Sequence, residues 1–296
     1  MRVPERIAIT GSSGLIGTAL VGHLKSEGHT VQRLVRRAPV AVDEITWNPQ
    51  SGYVDLTALE GVDAIIHLAG APVAEKRWSK KYRAEILNSR LMGTTTIAKA
   101  VAEIKPDVFI SASAIGWYGE SGNRAVIESD RVGDDFLAAV CREWESAADL
   151  ASDVRTVKLR TGLVLDPTGG ALGKMLPLFR LGFGGKLGNG KQWWSWITLH
   201  DVVRAIDFAL VQDISGPINL CAPNPVTNQE FTSALARALH RPAVFPAPAF
   251  ALKTVLGGFS SEVLGSKRVI PQALSEAGFT WDYPHITEAL KILVEV

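Results

Sequence analysis

A glycine-rich turn near the start of the chain constrains the fold more than any other feature of the sequence. It follows Arg6-Ile-Ala-Ile-Thr10, which is typical of a buried strand, and it precedes a helical pattern over residues 14–26. Its three glycines permit a tight turn, a close approach of backbone N–H groups to a phosphate, and close packing of the helix on the strand. The sequence therefore predicts a dinucleotide-binding turn that consists of Gly11, Ser12, Ser13, Gly14, Leu15, Ile16 and Gly17.

Strand-like and helix-like segments alternate along the first half of the chain. The strand-like segments after the turn are Thr30 to Val35, Asp63 to Leu68, Asp107 to Ala112 and Thr156 to Arg160, and residues 80–103 have a helical pattern. Strands separated by helices need right-handed crossover connections, so we predict an α/β fold with a doubly wound parallel sheet, the Rossmann architecture. We assign residues 1–165 to this domain, with about 198–222 returning to it, and residues 166–296 to a smaller mixed C-terminal lobe that closes over the C-terminal edge of the sheet.

Composition narrows the classes of partner. Hydrophobic residues make up 47% of the chain and charged residues 21%, which excludes a wholly disordered protein. The net charge of +1 provides no general attraction to nucleic acid, and no apolar run approaches the length of a membrane span. The two cysteines have neither disulfide-type nor metal-type spacing. We expect a cytoplasmic protein with a small-molecule substrate, no metal site, and neither nucleic acid nor membrane as a partner.

Two arginines follow the second predicted strand and indicate which dinucleotide is bound. NAD-binding sites usually place a carboxylate near the end of this strand to hold the ribose hydroxyls. Here the strand ends at Val35, 24 residues after Gly11, and Arg36 and Arg37 come next. A guanidinium pairs with a 2′-phosphate, whereas a carboxylate repels it. We therefore predict NADP(H), with Val35, Arg36 and Arg37 at the 2′-phosphate and Arg36 as the main contact; the alternative is that both arginines are solvated surface residues.

Several motifs together resemble one protein family. They are the glycine-rich turn, Asp63-Ala-Ile-Ile-His-Leu-Ala-Gly70, Ile110-Ser-Ala-Ser-Ala114 followed by Tyr118-Gly119, and Gln192-Trp-Trp-Ser-Trp-Ile197. The chain resembles the extended short-chain dehydrogenase/reductase superfamily, and within it the epimerase-family branch of sugar-nucleotide-epimerase-like proteins. The resemblance covers essentially the whole chain. It implies an NADP(H)-binding Rossmann domain and a small C-terminal lobe.

The resemblance also implies roles for individual residues. Leu68, Ala69 and Gly70 match residues that line the cofactor ribose, and Leu163, just after Arg160-Thr-Gly162, matches a backbone contact at the nicotinamide end, where we also place Arg160. Arg90 stands where many relatives have asparagine. We expect its side chain to reach a cofactor phosphate or ribose, oriented by Glu85; the alternative is a surface ion pair between these two residues.

The catalytic Tyr-x-x-x-Lys pair of the superfamily is missing. Ser113 matches the active-site serine, but Phe136 and Val140 occupy the positions of the tyrosine and lysine, and neither can exchange a proton. We expect this helix face to look toward the cofactor cleft. Tyr118 is a candidate substitute proton donor, or alternatively a structural phenol. Two functions follow: an NADP(H)-dependent oxidoreductase or epimerase-like enzyme acting on a small, nucleotide-linked substrate, or an NADP(H)-binding redox sensor without catalysis.

Three other features have structural or functional interpretations. The tryptophan-rich segment over residues 192–197 is predicted either to stack on a flat substrate or to form a hydrophobic hinge between the lobes. His67 lies within an apolar strand, which indicates a hydrogen-bonded core histidine rather than a ligand. Asp201 is predicted to cap the helix that begins near His200.

Overall fold

A computed structural model describes residues 3–295 and is built on one large sheet. The strands are β1 (Arg6–Thr10), β2 (Thr30–Val35), β3 (Glu44–Asn48), β4 (Tyr53–Val54), β5 (Ala64–His67), β6 (Val108–Ala114), β7 (Ala125–Val126), β8 (Arg155–Thr161), β9 (Leu163–Asp166), β10 (Trp193–Trp194), β11 (Trp196–Thr198), β12 (Gly216–Leu220), β13 (Val226–Thr227) and β14 (Arg268–Val269). The helices are α1 (Leu15–Ser26), α2 (Lys80–Ile104), α3 (Phe136–Ala148), α4 (Gly170–Arg180), α5 (Leu199–Val211), α6 (Asn228–Ala238), α7 (Ala249–Leu256), α8 (Ser260–Leu264), α9 (Gln272–Glu276) and α10 (Ile286–Glu295).

The large sheet has eight strands in the order β12-β8-β6-β5-β1-β2-β3-β4. All of its strand pairs are parallel except β3 with β4. The chain proceeds from β1 to one edge of the sheet and then returns to build the other half, so the predicted doubly wound sheet is confirmed. The carboxyl ends of β1, β2 and β5 meet at the reversal point, where open α/β sheets bind their ligands.

Helices cover both faces of the sheet because alternate strand residues point to opposite sides. On one face, Ile7 and Ile9 of β1 pack with Leu20 of α1 and Ile206 of α5. On the other face, the intervening Ala8 belongs to a core that includes residues of α2 and α3. All of these residues are fully buried, which fixes the register of β1 between the two helical layers.

A smaller core holds the C-terminal lobe together. Phe231 of α6 packs there with Leu172 of α4, Leu290 of α10 and Trp196 of β11. Three short two-stranded sheets, β10 with β13, β11 with β9 and β14 with β7, complete this part of the chain, whereas β12 joins the edge of the large sheet beside β8. Among residues 3–295, no helix combines the length and apolarity needed to cross a membrane.

The cap of α5 differs from the prediction. Thr198 is the N-cap residue, and its Oγ1 accepts a hydrogen bond from the backbone N–H of Asp201 at 3.0 Å. The helix begins at Leu199, so Asp201 falls within the first turn rather than before it. Its fully buried carboxylate instead accepts the backbone N–H groups of Asp282 and Tyr283, each at 3.0 Å, and thereby ties the C-terminal segment to the Rossmann domain.

Candidate functional site

A large cleft lies over the carboxyl ends of β1, β2 and β5 and has a volume of about 1470 Å³. This volume exceeds that of a typical drug-sized pocket and suits an extended ligand. The cleft runs from the glycine-rich turn to the end of β2 and along one side of α2. Of the residues predicted to bind cofactor, it is lined by Gly11, Ser12, Ser13, Gly14, Val35, Arg36, Arg37, Leu68, Ala69, Gly70 and Glu85.

The glycine-rich turn leaves no room for side chains at two of its positions. Gly11 has a φ of +70°, and a Cβ there would lie 2.8 Å from the carbonyl carbon of Leu68. A Cβ on Gly17 would lie 2.1 Å from the carbonyl oxygen of Gly11. Gly14 caps α1 without any side-chain hydrogen bond to the first turn. The first backbone N–H groups of α1, from Leu15 to Gly17, are therefore available to an anion.

A buried hydrogen bond joins β1 to β5 directly below the cleft. The Thr10 Oγ1 and His67 Nδ1 atoms are 2.7 Å apart, and the same hydroxyl oxygen accepts the backbone N–H groups of Leu68 at 3.2 Å and Ala69 at 3.3 Å. Burial lowers the pKa of His67 to about 3, so the ring is neutral at physiological pH. His67 is thus the core histidine that the sequence predicts, although its Nε2 has no hydrogen-bond partner within residues 3–295.

The end of the cleft beyond β2 is basic. It consists of Lys25, Arg33, Arg36, Arg37, Asp43 and Glu44, which we call the basic end. Arg33 forms an ion pair with Asp43 at 2.7 Å, and Arg37 forms one with Glu44 at 2.6 Å. Arg36 is exposed and makes no hydrogen bond or ion pair with any other residue in the described part of the chain. Arg36, the predicted main contact, is therefore free to bind a ligand. Arg37, the second predicted arginine, is already paired with Glu44.

Arg90 is a half-buried cation beside the cleft. Its Nη1 donates to the carbonyl oxygens of Ala71 at 3.0 Å and Ile86 at 3.1 Å, and its guanidinium lies 4.8 Å from the centre of the Trp144 ring. Burial lowers the pKa of this guanidinium, and no carboxylate within residues 3–295 forms an ion pair with it. The expected contact with Glu85 is wrong, because residues five positions apart point in different directions on a helix.

The Ser113 hydroxyl at the end of β6 is already engaged. It donates to Glu145 Oε1 of α3 at 2.6 Å, and Glu145 in turn accepts from Arg160 Nε at 2.8 Å and from Arg160 Nη2 at 2.9 Å. Arg160 Nη1 donates to the Tyr118 hydroxyl at 3.0 Å, and that hydroxyl donates to Asn219 Oδ1 at 2.6 Å. All five residues are buried, and we call this set the β6 network.

The surroundings of Tyr118 oppose ionisation of its phenol. Burial raises the pKa of Tyr118, and the neighbouring Arg160 only partly offsets this effect. Neither Tyr118, Ser113 nor Arg160 lines the large cleft. The structure therefore brings these three predicted site residues together in one hydrogen-bonded network, and that network does not line the large cleft.

The helix face that carries Phe136 and Val140 does not look toward the large cleft. Val140 is 2% exposed and packs with Tyr82 and Ile86 of α2. The Phe136 ring contacts Trp78 with a centroid separation of 5.2 Å. This differs from the expected orientation, because the apolar side chains that replace tyrosine and lysine are driven into the interface between α2 and α3.

Leu163 and the tryptophan-rich segment pack in the smaller core around Phe231. The backbone N–H of Leu163 donates to the carbonyl oxygen of Ser195 at 2.8 Å, and β9 pairs with β11. Trp196 is fully buried, and Trp194 meets Phe231 edge to face with a centroid separation of 5.2 Å. These contacts favour the hinge interpretation of the tryptophans over a substrate platform.

Comparisons with known proteins agree with this geometry. The model of the NAD dependent epimerase/dehydratase family matches residues 7–221, and a domain of unknown function (DUF1731) matches residues 247–293. The epimerase family protein MT2273 of Mycobacterium tuberculosis is 46% identical over 288 residues, which cover 96% of each chain.

Two solved structures are also similar. The crystal structure of the human epimerase family protein SDR39U1 (isoform 2) with NADPH has a TM-score of 0.90 and 32% identity, and the match covers 98% of this chain and 99% of that one. A nucleoside-diphosphate sugar epimerase from Corynebacterium glutamicum has a TM-score of 0.78 and 37% identity, over 97% of this chain and 57% of that one. The resemblance found in the sequence is thereby confirmed: the chain belongs to the NAD dependent epimerase/dehydratase family.

Proposed function

We propose that this protein binds NADP(H) in the large cleft and is an oxidoreductase or epimerase-like enzyme that acts on a small, nucleotide-linked substrate. The observation that carries the proposal is the free guanidinium of Arg36 at the basic end, beside a turn that only glycines fit. A 2′-phosphate distinguishes NADP(H) from NAD(H), and an exposed guanidinium is suited to bind it. The human relative that was solved with NADPH supports the same assignment.

The residues present fit this cofactor along its length. The uncapped first turn of α1 would hold the pyrophosphate, Leu68, Ala69 and Gly70 would line the adenosine ribose, and Arg36 would bind the 2′-phosphate. Arg90 would place a positive charge near Gly70, since its guanidinium carbon lies 3.5 Å from where a Cβ on that glycine would be. When bound, NADP(H) supplies hydride transfer at its nicotinamide ring.

Ser113 is the residue proposed to contact a reacting oxygen of the substrate. Its hydroxyl proton points to Glu145, so Ser113 would accept a hydrogen bond from substrate or would have to turn away from Glu145 to donate one. Arg160 holds the Glu145 carboxylate with two hydrogen bonds. We propose that Arg160 supports the nicotinamide end of the cofactor site through Glu145 and Ser113, and that Leu163 does so separately, through the pairing of β9 with β11. The similar nucleoside-diphosphate sugar epimerase supports a nucleotide-linked substrate.

The cofactor proposal is tested by comparing NADPH with NADH in calorimetry. The wild type is expected to bind NADPH more tightly, and Arg36→Ala to reduce that preference about ten- to a hundredfold, because a charge-assisted hydrogen-bonded pair is lost. Arg237→Ala, which removes an exposed arginine on α6, is the matched control and is expected to leave the preference unchanged. Equal affinities of the wild type for both dinucleotides would refute the proposal.

A second function is an NADP(H)-binding sensor without turnover. It is favoured by the β6 network, in which the hydroxyl groups of Ser113 and Tyr118 are paired with protein groups. The two functions are separated by incubating the protein with NADPH and a panel of nucleoside-diphosphate sugars and small carbonyl compounds. Oxidation of NADPH that Ser113→Ala abolishes supports the enzyme. Tight NADPH binding without oxidation, accompanied by altered proteolysis of the C-terminal lobe, supports the sensor.

A further inference from the structure

Glu44 is an unusual residue at the basic end, because it is a carboxylate at the site proposed for a phosphate. Its side chain is only 1% exposed. Its two oxygens accept hydrogen bonds from Arg37 Nη1 at 2.7 Å, Arg37 Nη2 at 2.6 Å and the backbone N–H of Val40 at 2.8 Å. Arg33 Nη2 lies 3.3 Å from Glu44 Oε1. These donors surround the carboxylate, so its lone pairs are already occupied when a ligand arrives.

The bonds of Glu44 determine which way Arg37 faces. Arg37 Nη1 donates both to Glu44 and to the carbonyl oxygen of Ala38 at 2.9 Å, and Nη2 donates to Glu44 once. A guanidinium has five N–H groups, so one hydrogen on Nη2 and the hydrogen on Nε remain. Those two hydrogens form the side-on fork of the guanidinium, which matches two oxygens of a phosphate. Within residues 3–295, no acceptor contacts them.

The charge at the basic end also suits an added anion. Lys25, Arg33, Arg36 and Arg37 contribute four positive charges, and Asp43 and Glu44 contribute two negative charges. The hydrogen bonds from Arg37 lower the pKa of Glu44 to about 2, so the carboxylate stays ionised and keeps its hold on Arg37 at physiological pH. A phosphate dianion would balance the remaining two positive charges.

We propose that Glu44 is a positioning residue for coenzyme preference. By pairing with Arg37 it closes the turn from Arg36 to Val40 and presents the free fork of Arg37 to the 2′-phosphate. Arg37 is then the fixed contact of the site, and Arg36, whose side chain pairs with no residue of the described part of the chain, is the contact that is not held in place. This inference rests on the proposed binding of NADP(H), and it goes further by naming the residue that organises the subsite. The competing explanation is that Glu44 only stabilises the turn from Arg36 to Val40 and has no effect on coenzyme preference.

The test measures the dissociation constants of NADPH and NADH for Glu44→Gln by calorimetry. The amide has only one acceptor oxygen, and its NH2 group would face one of the two Arg37 nitrogens, so we expect the preference for NADPH to fall about tenfold while the affinity for NADH stays within about twofold of the wild type. Glu103→Gln, which changes an exposed carboxylate near the end of α2, is the matched control and should alter neither constant. An equal loss of affinity for NADPH and NADH would show that Glu44 only stabilises the turn, and it would overturn the proposal.

A double-mutant cycle shows whether Glu44 acts through Arg37. If it does, Glu44→Gln has no further effect on the preference once Arg37→Met is present. An undiminished effect in the Arg37→Met background would overturn the proposal. Should Glu44→Gln not fold, Arg37→Met still tests the proposal. This variant is expected to reduce the preference for NADPH about tenfold, and an unchanged preference would overturn the proposal. A wild type that prefers NADPH, with variants that keep the preference, refutes this inference and leaves the proposed cofactor intact.

Discussion

The basic end and the β6 network contain similar residue types but use them in opposite ways. At the basic end, no residue within 3–295 pairs with the Arg36 side chain, and two N–H groups of Arg37 meet no acceptor there. In the β6 network, Arg160 directs four hydrogen bonds to Glu145, Tyr118 and the carbonyl oxygen of Glu128. The first arrangement is open to an anion, whereas the second is complete without one.

The difference between the basic end and the β6 network indicates that a charged residue marks a binding site when some of its hydrogen-bonding groups are unused. The residue type alone does not mark a site. Arg160 is 3% exposed and its charge is balanced by Glu145, so it stabilises the fold as it stands. Arg36 is exposed at the edge of the large cleft, where a ligand can reach it. If the comparison is correct, changes in the β6 network alter stability first, and changes around the glycine-rich turn alter cofactor affinity first.

The largest effect is expected from breaking the β6 network. Glu145→Ala leaves the buried Arg160 without its partner, so we expect the free energy of unfolding to fall by about 3–5 kcal/mol and Tm by about 10 °C. Thermal and urea unfolding measure the loss. Glu143→Ala on the same helix, which removes only an exposed pair with Arg142, is the control and should cost less than about 0.5 kcal/mol. A wild-type Tm for Glu145→Ala would show that the network is not a structural element.

A smaller effect, now on affinity, is expected at the glycine-rich turn. Gly17→Ala places a Cβ 2.1 Å from the carbonyl oxygen of Gly11. The backbone at Gly11 and the start of α1 must therefore move apart. Such overpacking costs about 1–3 kcal/mol, and we expect the affinity for NADPH to fall at least tenfold. The control is Gly22→Ala, also in α1, where a Cβ would meet nothing within 4 Å. Equal NADPH affinities of the two variants would contradict the account of the turn.

The smallest effect is expected on the pH dependence of stability, through the buried His67. The pKa of His67 is lowered to about 3 in the folded protein, whereas an unfolded histidine titrates near pH 6.5. As pH falls below about 6.5 the unfolded chain takes up a proton that the folded protein does not, so stability decreases by up to about 1.4 kcal/mol per pH unit. His67→Asn should remove this contribution between about pH 6.5 and 5 in urea unfolding.

The matched control for His67 is His240. This histidine is exposed and has a φ of +52°, a conformation that asparagine tolerates well, so His240→Asn should keep the slope of stability against pH. An unchanged slope in His67→Asn would mean that His67 takes up a proton over the same pH range in the folded protein as in the unfolded chain. The Thr10 to His67 hydrogen bond would then need a different donor and acceptor assignment.

Long periodic segments were predictable from the sequence because their burial pattern repeats many times. The helical pattern over residues 80–103 corresponds to α2, which spans Lys80–Ile104 without a break at Gly93. The short strand β3 was not predicted, although the alternation of Ile45 and Trp47 is its signal. Without β3, the pairing of Glu44 with Arg37 could not be foreseen, since it depends on β2 and β3 lying side by side.

The glycine-rich turn was predictable and the β6 network was not, for a physical reason. The turn is a local arrangement of backbone, so glycines at fixed spacing report it directly. The network joins Ser113, Glu145 and Arg160, which lie on three different elements, and its geometry is set by the packing of α3 on the sheet. One sequence signal was present: Glu145 lies four residues after the buried Cys141, on the apolar face of α3.

A crystal structure of this protein with NADPH would show directly where the cofactor binds. We expect the pyrophosphate to lie on the first turn of α1 and the 2′-phosphate to accept hydrogen bonds from Arg36 and from the free fork of Arg37. Glu44 should keep its contacts with Arg37 in that complex. An NADPH molecule whose 2′-phosphate points away from both arginines, or one bound outside the large cleft, would contradict the account.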